Sequence, residues 1–183
     1  WDQYQPVQPN FIGVQEVKVT LVELVPFIDW TPFFHSWQLF GKYPALLNDD
    51  VVGEQAQQLF DDAQKMLAQI VEENWFTAKG LVGIFPANTV NDDDIEVQPT
   101  TDNPQPTTFL TLRQQSKKTA GAPNIALADF IAPKETGVQD YIGCFCVTTG
   151  FGVDEKAAVF EQDLDDYHAI MVKALGDRLA EAF

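Results

Sequence analysis

Basic side chains are scarce in this sequence. Its 183 residues hold 11 Lys and Arg against 27 Asp and Glu, a formal net charge of −16. The longest run of cations is the pair Lys117-Lys118. Such a chain repels phosphate backbones and anionic lipid. That excludes nucleic-acid binding driven by counterion release, and a basic helix lying on a membrane. Long apolar runs are also lacking: no window approaches the roughly 18 apolar residues of a membrane-spanning helix. The start, Trp1-Asp2-Gln3-Tyr4, has neither the basic region nor the apolar stretch of a secretory signal. With Trp1 in place of an initiator Met, the sequence is expected to be a piece of a longer, cytoplasmic chain.

Cysteine is nearly missing. The two that occur, Cys144 and Cys146, are spaced C-x-C. In a strand that spacing points both thiols to one face. Their separation of about 6.5–7 Å is too long for easy bridging. They are expected to be reduced, buried and cytosolic. A metal site built on this pair would need two more ligands. His35 and His168 are the sole histidines, and they show no zinc-type spacing. The sequence contains no G-x-S-x-G, no P-loop and no G-x-G-x-x-G, and no Ser or Cys arrangement suggests a triad. The residues alone therefore read as a binding or regulatory module rather than a self-sufficient catalyst.

What is abundant is apolar material. Apolar residues make up 45% and aromatics 12%, enough for a globular core. Residues 1–10, with two prolines and three glutamines, read as a linker or extended arm. Residues 14–19 read as a short strand or a helix entry, and residues 20–28 as a helical turn broken near Pro26. Thr31-Pro32 looks like an N-cap followed by Pro at the first helical position. Gly41 to Pro44 reads as a turn and Asn48-Asp49-Asp50 as a helix start. From 51 to 73, apolar residues recur at i, i+3, i+4 and i+7, which predicts an amphipathic helix packed on a core.

Residues 81–86 form an apolar run that fits a buried strand. A turn-rich stretch, 88–94, and a returning strand, 95–97, suggest an antiparallel hairpin with a longer loop. Residues 98–107 read as a surface loop, 109–113 as a strand or helix entry, and 117–123 as a turn. Residues 125–131 read as a short buried strand or helical turn, and 141–147 as a strong central strand. Residues 155–183 carry one continuous helical periodicity. The order argues an α+β fold with a central antiparallel sheet flanked by helices, rather than a parallel βαβ fold.

Three groups of residues could carry chemistry. Asp29 sits among Ile28, Trp30, Phe33 and Phe34. A carboxylate in that setting needs a partner. It is either a helix cap or a recognition group for a ligand's amine, hydroxyl or cationic centre. Arg178 falls in or beside the apolar stripe of the last helix, with Glu181 at i+3. This is either a structural salt bridge or a ligand-facing pair. Asp165-Asp166 and Asp92-Asp93-Asp94 read as helix-cap clusters or solvated turns. Neither has the alternating spacing and glycine of a calcium loop.

Several runs occur together in one order. They include Ile28-Asp29-Trp30-Thr31-Pro32-Phe33-Phe34, Gly41-Lys42-Tyr43-Pro44 and Gly83-Ile84-Phe85-Pro86-Ala87-Asn88. Further along come Leu112-Arg113-Gln114-Gln115, Ala128-Asp129-Phe130-Ile131-Ala132-Pro133 and Gly176-Asp177-Arg178-Leu179-Ala180-Glu181-Ala182-Phe183. Across residues 11–183 the set resembles the activation domain of cobalamin-dependent methionine synthase. The resemblance implies a mixed α+β domain that binds S-adenosylmethionine for reductive methylation of oxidised cob(II)alamin. The parent enzyme would move a methyl group from methyltetrahydrofolate to homocysteine, with cobalamin and zinc held by other modules. The implied partners are the cobalamin-binding module and a flavodoxin or flavoprotein reductase as electron donor.

By the same resemblance Asp29 and Glu181 lie at the ligand, with Arg178 beside them. Residues 11–183 would be the N-terminal part of the domain. The family continues to an arginine-proline-alanine-proline-glycine-tyrosine-proline segment that supplies many ligand contacts and is not in this sequence. Weak or absent ligand binding by the 183 residues alone is therefore expected. The rival reading is a non-catalytic docking module, for which Arg113 with Lys117-Lys118 is the candidate patch.

Overall fold

The computed structural model describes residues 1–100 and 104–183. Among them are five strands, β1 (Gly13–Val17), β2 (Thr77–Val90), β3 (Asp94–Val97), β4 (Thr107–Leu110) and β5 (Asp140–Phe151). The α-helices are α1 (Leu21–Leu24), α2 (Trp30–Ser36), α3 (Gly53–Glu72), α4 (Val153–Gln162) and α5 (Asp166–Ala182). Residues 1–10 form neither helix nor strand. The strands make one sheet in the order β1-β2-β3-β4, with β5 also paired to β2. The pairs β2–β3 and β3–β4 are antiparallel. The fold is α+β, as expected.

The chain divides into two compact units. One comprises Trp1–Gln15 with Leu81–Phe145, and the other Glu16–Gly80 with Cys146–Phe183. Each has its own core. In the helical unit Phe33, Phe34, Ile70, Met171, Leu175 and Leu179 are buried together. In the other, Ala87, Ile95, Val97, Ala128 and Ile131 form a smaller cluster.

Helix α3 forms for the reason its periodicity predicts. Ala56, Leu59, Ala63, Met66, Leu67 and Ile70 are buried at helical spacing. The turn leading into it is held by Asp49, whose carboxylate accepts from the backbone N–H of Val51 (2.9 Å) and Val52 (3.1 Å) and whose carbonyl accepts from the N–H of Gly53 (2.9 Å). It ends at Asn74, which adopts φ 53°, a conformation Asn tolerates better than most residues.

The continuous helix expected over 155–183 is two helices. Leu164 adopts φ 59° between them, and Asp165 caps α5 by accepting from the N–H of His168 at 3.1 Å. The apolar periodicity runs through the break because α4 and α5 both line the same core. The hairpin is tighter than expected. Strand β2 continues to Val90, which pairs with Asp94, leaving a turn of Asn91, Asp92 and Asp93. Asn91 and Asp92 take φ 52° and 68°, which their short polar side chains permit.

The central strand is β2, which touches β1, β3 and β5. Strand β5, apolar in composition, is buried mainly at Asp140 and Thr149, while Gly143–Cys146 are exposed. This corrects the expectation of buried thiols: Cys144 and Cys146 are free and exposed. Of the loop expected over 98–107, residues 101–103 lie outside the described residues and Thr107 belongs to β4, while 127–130 form a 3₁₀ turn.

Candidate functional site in the helical unit

Pro26 lies in a 3₁₀ turn, Val25–Phe27, that leads into Asp29. Asp29 is the N-cap of α2, and its Oδ1 accepts from the N–H of Thr31 at 2.9 Å. Thr31, expected to be that cap, instead accepts the N–H of Tyr43 on its hydroxyl at 3.3 Å. The residues around Asp29 are held rigidly. Ile28, Trp30, Phe33 and Phe34 are buried. Trp30 meets Phe33 and Phe60 edge-on, with ring centroids 5.4 Å and 4.9 Å away. The Asp29 side chain itself is exposed. Its aromatic neighbours thus fix a carboxylate that faces outward.

Helix α5 packs against α1, α2, α3, α4 and the Val25–Phe27 turn. Gly176 makes the close approach possible: a Cβ there would lie 2.9 Å from Val153 Cγ2. Its carbonyl accepts from the buried hydroxyl of Thr149 at 2.8 Å. Leu175 and Leu179 are fully buried. On this anchored helix Arg178 is half-buried and Glu181 exposed. The structural salt bridge is not formed. Among the described residues Arg178 has no ion-pair or hydrogen-bond partner, and neither has Glu181. The structure therefore brings Asp29, Arg178 and Glu181 onto two helices in contact within one unit, without direct bonds among the three. A half-buried guanidinium normally sits against an acceptor, so Arg178 is suited to an external carboxylate.

The other candidates fall differently. Asp165 caps α5, and its Oδ2 lies 2.6 Å from His168 Nδ1. These bonds, the His168 N–H first, hold its carboxyl below the ordinary range. Asp93 and Asp129, on the other unit, enclose Arg113. The guanidinium donates to Asp93, to both oxygens of Asp129 (2.7 and 2.8 Å) and to the Asn124 carbonyl (2.7 Å). Arg113 thereby holds the Asp129 carboxyl down to about 2, helped by the N–H of Ala126. With all five donors used, Arg113 offers no free charge for docking, and the proposed patch reduces to Lys117 and Lys118. The network borders a cavity of about 680 Å³ lined also by Trp1, Asp92 and Glu135. No sequence spacing announces it, because its members are 16 and 20 residues apart. Among the described residues no group of three or more His, Cys, Asp and Glu could hold a metal ion.

Comparison with known proteins bears on both units. Residues 20–183 match the family model described as the vitamin B12 dependent methionine synthase activation domain. The fold superposes with a TM-score of 0.91 on a crystal structure of the MetH reactivation domain bound to AdoHcy, at 50% sequence identity. The match covers 100% of this chain and 56% of that one.

Proposed function

The chain belongs to the family of vitamin B12 dependent methionine synthase activation domains, and on that premise we propose that it binds S-adenosylmethionine for the reductive methylation of oxidised cobalamin. The parent methyltransferase would carry a methyl group from methyltetrahydrofolate to homocysteine. Cobalamin and zinc would belong to other modules, and an electron would come from a flavodoxin or flavoprotein reductase in the cytoplasm. Residues 11–183 would contribute the N-terminal part of the domain, after an arm over 1–10. This fragment would not be catalytic by itself. The chain's 56% share of the related structure supports that division.

The observation that carries the reading is the half-buried guanidinium of Arg178, unpaired among the described residues, on a helix that touches the one capped by Asp29. The ligand presents a sulfonium, an ammonium and a carboxylate. Arg178 would take the carboxylate through paired N–H donors. Asp29 and Glu181 would face the cationic centres. The three side chains sum to one negative charge, and the ligand carries one net positive charge. Asp29 can do this without leaving its cap, since only Oδ1 is engaged by Thr31. The AdoHcy in the related structure lacks the sulfonium charge but shares the amino-acid end, so Arg178 would serve either ligand.

Calorimetry with S-adenosylmethionine tests this on the full-length enzyme and on the 183-residue chain. Hydrogen bonds to charged groups contribute about 1.5–3 kcal/mol. Asp29→Asn and Arg178→Ala are therefore each expected to weaken full-length binding roughly 10- to 100-fold. The 183 residues alone are expected to bind weakly or not at all. Unchanged affinity in both variants refutes the site. Micromolar binding by the short chain refutes the division of contacts.

A further inference from the structure

Glu181 is exposed, and among the described residues it has no ion-pair or hydrogen-bond partner. Nothing at its own side chain fixes where the carboxylate stands. Its place is set by the backbone of the last turn of α5, and that backbone is set by the residues packed beneath it. Leu179 and Phe183 lie four apart and so share one face of the helix. Leu179 is fully buried, and Phe183 packs against the same core. Together they turn the face that carries Glu181 outward.

The ring of Phe183 has a particular seat. Gly80 of β2 is buried beneath it. A Cβ on Gly80 would stand 2.5 Å from Phe183 Cζ and 2.6 Å from Cε1. Val147 of β5 bounds the same spot, with its Cγ1 3.4 Å from that position. The ring thus lies on bare backbone, in space that any other residue at 80 would occupy. Gly80, Val147, Phe183 and Glu181 all belong to the helical unit. One turn earlier the helix is held at Gly176, through Thr149 and Val153. The stretch bearing Arg178 and Glu181 is therefore pinned on both sides, as a ligand site needs when its groups must be held within about 0.5 Å.

We propose that Gly80 and Phe183 are positioning residues of the ligand site: the ring seated on β2 fixes the last turn of α5 and with it the Glu181 carboxylate. This rests on the function proposed above, in which Glu181 faces a cationic centre of the ligand. Both residues act through Glu181.

Calorimetry with S-adenosylmethionine on the full-length enzyme tests this through double-mutant cycles. Gly80→Ala crowds the seat and Phe183→Ala empties it, so the two disturb packing in opposite senses. Each is nevertheless expected to raise Kd about tenfold, the lower end of what a misplaced charged partner loses. In a Glu181→Gln background the same changes should move Kd by less than about twofold, because the carboxylate they place is gone. In an Asp29→Asn background they should keep the full effect. Affinity unchanged in both single variants overturns the proposal. So do losses that persist undiminished beside Glu181→Gln, which would mark a general effect on folding. Glu181→Gln alone is the separate check on the underlying reading: it should weaken binding about 10- to 100-fold. Unchanged affinity there removes Glu181 from the ligand site, and this inference with it.

Discussion

Replacing Gly152 by Ala should be among the costliest single-methyl changes in this protein. Gly152 caps α4 at φ 97°. That lies beyond the small left-handed region open to other residues, so any Cβ is strained, by about 1–2 kcal/mol. The Cβ would also stand 2.1 Å from the carbonyl oxygen of Trp75 and 3.2 Å from its carbonyl carbon. Backbone cannot rotate aside as a side chain can, so the corner between β5 and α4 must move. Overpacking of this kind costs about 1–3 kcal/mol, giving a total of about 2–5 kcal/mol with the conformational strain. Gly137→Ala is the matched control. Gly137 has φ 71°, and a Cβ there meets nothing within 4 Å, leaving only the strain of about 1–2 kcal/mol. Urea unfolding read by circular dichroism should show Gly152→Ala losing at least about 1 kcal/mol more than Gly137→Ala. Trp75 should report the shift, because Lys156 Nζ sits 3.5 Å above its ring. Equal losses, with Trp75 emission unchanged, would refute the close approach of Gly152 to Trp75.

Two further outcomes are expected. Thr149→Val keeps the shape of a fully buried side chain but leaves the Gly176 carbonyl without its 2.8 Å donor. It should destabilise by about 1–3 kcal/mol, while Thr149→Ser retains most of the stability in the same urea titration. The Asp165 cap should be acid-sensitive. Its folded carboxyl is held below the ordinary 3.8 by the His168 N–H and ring. The contribution is therefore full above pH 3.8 and is lost as pH falls through the lower folded value. Asp165→Ala should abolish that acid-dependent part of the thermal midpoint below pH 3.8; an identical pH profile would count against the cap.

Much of the helical unit was legible in the chain, because local periodicity is itself a statement about which side faces the core. Residues 51–73 announce α3 through the spacing of Ala56, Leu59, Ala63 and Met66. The runs around Asp29 and Arg178 announce the family, since they are particular in composition and order. The break at Leu164 was hidden because both helices bury their stripes in one core, and periodicity records burial rather than continuity. The exposure of Cys144 and Cys146 was hidden for the converse reason: apolar strand composition does not say which segment a neighbour covers.

By itself, then, the sequence determined the α+β class, the strongly acidic composition and the family. These depend on composition and on residues close together along the chain. The tertiary structure alone decided which charges are spent and which are free. Arg113 is consumed by Asp93 and Asp129, which lie 16 to 20 residues away. Arg178, only three residues from Glu181, is left unpaired among the described residues. Two charges interact by distance and orientation in space, and folding sets both.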